Sequence, residues 1–242
     1  MPRVFVQGQP VASYPPFAPE ARSGSVRRIT EVGEEVLHKS CREVTEFGPD
    51  LAALIDDMFL TMYVADGAGL AANQVGVGLR LFVYDCRDDE GVRHVGHIVN
   101  PVLDRLDPAG RRLLDEGEGC LSVPGAVMDV PRPDRAVVRG YDREGRPLVV
   151  EGRGYFARCL EHESDHLDGQ VYLDRLSRRG RKDALRQVAD RREEVFARRA
   201  AKATALSQAQ TQAQTQEAQE AQPQVQAQTP EAQTQVQGQP QH

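Results

Sequence analysis

Apolar positions recur with a helical period in three places along the chain. Between Asp50 and Tyr63, Leu51, Leu54, Ile55, Met58, Phe59 and Met62 fall on one face, with Pro49 before them and Gly67 beyond. Between Tyr155 and Leu167, Phe156, Leu160 and Leu167 share a face and Gly169 follows the end. Asp183 to about Ala203 is densely charged and carries only a narrow stripe of Leu185, Val188, Val195 and Phe196. Elsewhere the period shortens to two. Leu79 to Asp85 alternates as a strand, and Asp88-Asp89-Glu90-Gly91 turns into a second strand over His97 to Leu103. Ala136 to Tyr141 and Pro147 to Val150 predict a hairpin across Asp142-Arg143-Glu144-Gly145. Val26 to Val44 mixes short apolar runs with Gly33 and charges, an irregular segment with room for one strand. Helices segregated from hairpins predict an α+β fold, and no internal repeat competes with it.

Composition divides the 242 residues unevenly. From Gln208 onward, 15 of 35 residues are glutamine and almost no large apolar side chain occurs, so residues 203–242 are expected to form a disordered tail. Residues 1–24 hold Pro2, Pro10, Pro15, Pro16 and Pro19 without periodicity and are expected to be a flexible extension. One domain over 25–202 remains. Charge follows the same division. Residues 1–173 have 19 Lys/Arg against 28 Asp/Glu, whereas residues 174–202 have 11 against 5. A basic segment on an acidic body reads either as a solvated helix face or as a local contact with something anionic. Val4-Phe5-Val6 is too short for a secretory apolar core, and no stretch approaches a membrane span, so a cytoplasmic location is expected. Four cysteines in such a compartment read as thiols or ligands before disulfides.

The run His162-Glu163-Ser164-Asp165-His166 lies in the second helical segment. Positions 162 and 166 are one turn apart on one face, so two imidazoles can grip one metal ion, with Glu163 beside its water. A catalytic site needs a third ligand and an open position. Tyr172 stands where a metzincin-type peptidase would place a third histidine, and Glu193 and Glu194 lie on the charged helix. Histidines 38, 94, 97 and 242 sit in no ligand motif. Cys159 shares the helix but stands roughly 10 Å along its axis from His166, so its plainer reading is a small buried side chain next to the site. Cys120, in the glycine-flanked run Glu118-Gly119-Cys120-Leu121-Ser122, can approach from an extended segment and is the better candidate.

Gly67-Ala68-Gly69-Leu70-Ala71-Ala72-Asn73-Gln74 matches a dinucleotide fingerprint on paper, but a helix precedes it where a strand is required. Its better use is as backbone lying close to a substrate chain, with Gln74 offering an amide N–H to a developing oxyanion.

GAGLAANQ, EGCLS and HESDH, in this order and at these separations, resemble the three signature motifs of peptide deformylase, over most of 26–175. The resemblance implies mixed and antiparallel sheets around a central HExxH helix, and removal of the formyl group from the initiator methionine of nascent polypeptides. It implies Cys120, His162 and His166 as ligands of Fe(II), with nickel, cobalt or zinc able to substitute, and Glu163 as general acid/base. Gln74 and the backbone N–H of Leu121 would hold the oxyanion. The peptide would lie along Gly67, Ala68, Gly69 and Leu70, with Gly119 and Cys159 also in contact. It further implies that segment 174–202 meets the ribosome. Three positions depart from the usual pattern: Glu161 replaces a glutamine, Ala68 a bulkier aliphatic, and Gly125-Ala126-Val127 lacks an arginine that some members direct at the peptide. A zinc endopeptidase and a non-catalytic relative with a structural metal are the competing readings. Spacing also suggests that Glu118 pairs with Arg132 to brace the Cys120 strand.

Overall fold

A computed structural model describes residues 4–104 and 112–220, with side chains described as far as residue 208. Its nine strands and three α-helices are β1 (Val4–Val6), β2 (Gln9–Val11), α1 (Pro49–Val64), β3 (Gly69–Ala71), β4 (Leu81–Arg87), β5 (Arg93–Leu103), β6 (Leu113–Cys120), β7 (Val123–Pro133), β8 (Arg135–Tyr141), β9 (Pro147–Arg153), α2 (Gly154–Leu167) and α3 (Arg178–Glu220). The expected α+β class is observed, with two sheets. One has seven strands and runs β2-β1-β5-β4-β3, with β8 joining β5 and β9 joining β8; the other is the β6–β7 ribbon. All pairings are antiparallel except β1 with β5.

Strand β5 is the spine of the larger sheet; it pairs β4 as far as Val99 and β8 from Val99 onward, with a bulge in the β8 pairing between Val99 and Val102. Asn100 sits at the bulge with φ 51°, and its amide exchanges hydrogen bonds with Val44 N–H (2.8 Å) and C=O (2.9 Å). Asparagine tolerates that left-handed geometry better than most residues. Helix α1 begins at Gly48-Pro49, proline fitting its first turn, and buries the predicted apolar face against Leu70, Leu81 and Val83. Helix α2 packs Phe156, Ala157 and Leu160 against the concave side formed by Phe82, Ile98, Val138 and Val150. Each large apolar side chain buried there contributes roughly 1.5–3 kcal/mol, which anchors α2 independently of the polar face it presents to the site.

Four expectations need correction. The first concerns residues 1–24. From Val4 onward this stretch is ordered: β1 adds to β5, Phe5 stacks on His94, and the Gln7 amide lies against the His97 ring through Nε2 while its Oε1 accepts His97 N–H. Arg93 donates to the carbonyls of Pro15 and Pro16 at 2.7 and 2.8 Å. Three-residue strands show no periodicity, and the core's polar side chains hold the proline-rich backbone. The second concerns the tail. Helix α3 starts at Arg178 and continues to Glu220, well past the expected boundary at 202. Alanine and glutamine are strong helix formers, and a segment with nothing to bury can still be helical. The chain divides into units Met1–Leu206 and Ser207–His242, and the part of the expected tail beyond Glu220 lies outside the described residues. The third is one position of the stripe on α3: Val195 is buried and Val188 and Phe196 are half-buried as expected, but Leu185 is exposed and its neighbour Ala184 is buried. In 26–44 the expected strand is absent among the described residues; a 3-10 turn over Glu35–His38 and one bridge, Arg42 to Leu79, stand there.

Candidate metal centre

Helix α2 projects His162 and His166 one turn apart, with ring centroids 4.8 Å apart and planes at 82°. The last residue of β6 brings Cys120 to them from outside the helix, its Sγ 3.2 Å from His166 Nε2. One ligand atom from each of Cys120, His162 and His166 lies within 4.8 Å of the others. A soft thiolate and two imidazoles in that compass are a donor set suited to a divalent transition metal, and three protein donors leave a coordination position open. The other residues weighed as ligands stand elsewhere. His94 pairs with Asp88, His97 with Gln7, and His38 with Gly33 N–H. Tyr172 directs its hydroxyl to Ala126 C=O, and Glu193 and Glu194 are exposed. Cys159 is buried with its Sγ 3.6 Å from Ala68 C=O. His242 lies outside the described residues.

Strand alternation puts Glu118 on the same face of β6 as Cys120. Its carboxylate lies 2.7 Å from His162 Nδ1, which assigns the ring proton to Nδ1 and turns Nε2 toward Cys120. The same carboxylate accepts from Arg132 Nε (2.9 Å) and Nη2 (2.6 Å), so the pairing suggested by spacing is present, and from Arg158 Nη1 (3.1 Å). Burial alone would raise the Glu118 carboxyl, but the bonds from Arg132 and His162 outweigh it and hold the group well below the usual carboxylate range. Arg132 also reaches Asp165 on α2 at 2.7 Å, which fastens the ribbon to the helix.

Glu163 has the opposite environment. It is 3% exposed, and its Oε2 has no hydrogen-bond partner among the described residues. Burial pushes its carboxyl up to about 7, into the range where a group can both take and return a proton at neutral pH. Strand β3 lies directly against it: a Cβ on Gly69 would sit 2.5 Å from Glu163 Oε1, so only glycine permits this approach. β3 is also the last strand of its sheet, paired only with β4. Leu70 faces Val83, and Asp85 N–H bonds Ala68 C=O, so the alternation of antiparallel bonding directs the Gly69 amide and carbonyl to the outer edge.

Gln74 closes the site from the turn after β3. Its Oε1 accepts Ala71 N–H at 2.8 Å, which fixes the amide orientation and aims Nε2 at Cys120 Sγ (3.5 Å) and Ser122 Oγ (3.2 Å). Gly67, Ala68, Gly69, Gly119, Leu121 and Cys159 line a cleft of about 430 Å³ that also admits Gln74, Cys120, His162 and Glu163. Leu70 is the exception; its side chain is fully buried in the α1 core, so only its backbone belongs to the edge. Sequence reasoning missed Arg158 and the cleft contributions of Val195, Arg198 and Arg199 from α3. Arg158 stands one helical turn before His162, a signal that was available; nothing in the pattern of α3 pointed to the cleft.

Comparison with known proteins follows this geometry. The family model described as polypeptide deformylase matches residues 26–182. Peptide deformylase 1 of Streptomyces avermitilis is 59% identical over 167 residues, which span 69% of this chain and 77% of that protein. The crystal structure of a peptide deformylase from Legionella pneumophila superposes with a TM-score of 0.63 at 41% identity, covering 72% of this chain and 99% of that one. The enzyme from Ehrlichia chaffeensis gives 0.64 at 35% identity over 69% and 97% of the two chains. With the family model spanning well over half of the sequence and the relatives matched across most of their length, the chain belongs to the polypeptide deformylase family.

Proposed function

We propose that this protein is a metal-dependent hydrolase that removes the N-formyl group from the N-terminal formylmethionine of newly synthesised polypeptides and releases formate. The observation that carries the reading is convergence. Gln74, Cys120, His162 and Glu163 come from three distant motifs of a deformylase-family chain and share one cleft, with His166 joining Cys120 and His162 behind it. Cys120, His162 and His166 would hold the ion, with Fe(II) as resident and nickel, cobalt or zinc able to substitute; the mixed thiolate and imidazole set supports such a metal. When bound, the ion supplies Lewis-acid polarisation of the formyl carbonyl and activation of water.

The protein's own groups do the rest. Glu163 takes a proton from the attacking water and returns it to the amine nitrogen as the C–N bond breaks, leaving formate and a free N-terminus. Gln74 Nε2 and the Leu121 backbone N–H donate to the oxygen as negative charge develops on it. Gly67 to Leu70 accept the peptide as an added strand, a main-chain mode that tolerates many downstream sequences. The test is formate release from formyl-Met-Ala-Ser by anaerobically prepared, iron-loaded protein. Turnover that survives Glu163→Ala, or no turnover by metal-replete protein, would overturn the reading.

The substrate locates the reaction where translation occurs, and we assign the protein to the cytoplasm on that basis. No helix among the described residues is long and apolar enough to cross a membrane. We further propose that segment 174–202 meets ribosomal RNA. Much of its charge is spent on intramolecular pairs, Arg175 with Asp165, Arg181 with Asp174 and Arg192 with Glu31. Arg178, Arg179 and Lys182 remain exposed at the start of α3 as the phosphate-binding group. Co-sedimentation with ribosomes should fall steeply with salt. Binding unaltered both by deletion of 180–202 and by Arg178→Gln/Arg179→Gln/Lys182→Gln would remove this proposal.

A further inference from the structure

The cleft has a wall that the family match does not reach. Val195, Arg198 and Arg199 of α3 line it, whereas the matched residues end at 182. Helix α3 touches both sides of the opening. On one side, Arg199 Nη2 donates to Leu121 C=O at 3.0 Å and Arg191 Nη1 to Gly125 C=O at 3.2 Å. On the other, Lys202 bonds Asp66 and Arg198 Nε lies 3.8 Å from it, immediately before Gly67. Arg198 and Lys202 flank Asp66, and Arg198 and Arg199 put two guanidiniums on this wall of the cleft. Arg199 Nε has no hydrogen-bond partner among the described residues, and the Arg198 side chain is 57% exposed. The Arg198 guanidinium keeps donors for an incoming group, and Arg199 adds its charge beside it.

Position along the cleft can be counted on β3. Gly69 lies against Glu163, where the formyl group must sit if the proposed function holds. A peptide added antiparallel to this edge runs from Gly69 past Gly67 to Asp66. Three residue steps cover about 10 Å of strand. The third residue of the substrate thus arrives beside Arg198 and Arg199. The ribbon contributes the uncharged Gly125-Ala126-Val127 to this part of the cleft, so the guanidiniums of α3 supply its charge.

We propose, resting on the deformylase reading, that Arg198 and Arg199 select an acidic side chain at the third residue of the formylated peptide. They are specificity determinants, and they do not touch the reacting atoms.

The experiment compares kcat/KM for formyl-Met-Ala-Asp-amide and formyl-Met-Ala-Lys-amide, with the C-terminal carboxylate blocked so that only the third side chain differs. Partly exposed ion pairs are modest, so the Asp peptide should be favoured about three- to fivefold at low salt, carried in KM. The preference should shrink toward one in 0.5 M salt, where screening is short-ranged. It should shrink likewise in Arg198→Gln and further in the Arg198→Gln/Arg199→Gln double variant. The single variant alters a half-exposed side chain, so the proposal stays testable if loss of the Arg199–Leu121 bond unsettles the double variant. Equal use of both peptides by the wild type, or a preference that survives in the double variant, would overturn the selection proposal while formate release continues. Absence of formate from every peptide would overturn the parent reading and this proposal with it.

Discussion

Replacing Glu118 with glutamine should weaken metal binding and fold together, because one buried carboxylate serves both. Glu118 and its partners Arg132 and Arg158 are 4%, 1% and 3% exposed. The carboxylate receives four donors: two from Arg132, one from Arg158 and one from His162 Nδ1. A glutamine amide keeps one oxygen and presents an NH2 group where two of those donors point, so buried guanidinium charge loses its counter-ion. Breaking a buried pair from one side typically costs about 3–5 kcal/mol. For a unit of roughly 200 residues that lowers Tm by about 6–20 °C. The His162 ring loses its orienting partner at the same time, and loss of such a contact lowers metal affinity about 10- to 100-fold. Urea unfolding of metal-stripped protein measures the first effect, and competition against a zinc-binding dye measures the second. Arg132→Met separates them, since it removes the cation but leaves Glu118 against His162; it should unfold early yet lose less metal affinity than Glu118→Gln. The double variant should be less destabilised than the sum of the singles. A Glu118→Gln protein that unfolds at the wild-type urea concentration and holds zinc as tightly would refute the account of this network.

Gly69→Ala should displace the Glu163 carboxylate and cut kcat/KM for a formyl peptide about 10²-fold or more, with metal content unchanged; a fully active variant would show that β3 can yield there. Gln74→Ala should lower kcat by about 10²–10³ with little change in KM, and an effect confined to KM would assign Gln74 to binding instead. Stability should also fall with acid through His97. Burial, reinforced by Arg143, lowers its pKa from the ordinary 6.5 to about 4, with Glu144 and Asp142 opposing. The unfolded chain therefore takes up the proton first: the stabilisation is whole above about pH 6.5 and is lost as pH falls toward 4, at most about 3 kcal/mol. Urea midpoints at pH 7 and 5 measure it, and a His97→Gln variant with the same acid sensitivity would sink the assignment.

The site's chemistry was legible because it rests on local rules. A one-turn histidine pair needs only a helix, and the helix is announced by Phe156, Leu160 and Leu167, all of which are fully buried. Cys120 was reachable by elimination, since a third donor on the same helix cannot surround an ion with the first two. Glu118 was half-legible: sequence spacing suggested its pairing with Arg132, although Met128 is the residue opposite it in the ribbon, and its hold on His162 depends on how that ribbon docks against α2. The bulge at Asn100, where β5 leaves β4 for β8, is a tertiary choice and left no periodic trace.

The two ends of the chain fail for a common reason: burial of apolar stripes was used as the test of order, and other forces hold these segments. At the N-terminus the holding groups are Gln7, Arg93 and Tyr63, polar side chains that bind backbone or ring atoms from elsewhere in the fold. On α3 the register is set by a ladder of polar clamps. Gln187 bonds Val127, Arg191 bonds Gly125, Arg192 bonds Glu31 and Arg199 bonds Leu121, spread over some three turns of the helix. With that ladder Leu185 faces outward and Ala184 inward, although the leucine offers the larger apolar gain, while Val195 of the stripe stays buried. A helix positioned this way presents Arg198 and Arg199 to the cleft beside Val195. The charge that read as a solvated face is thus part of the cleft wall.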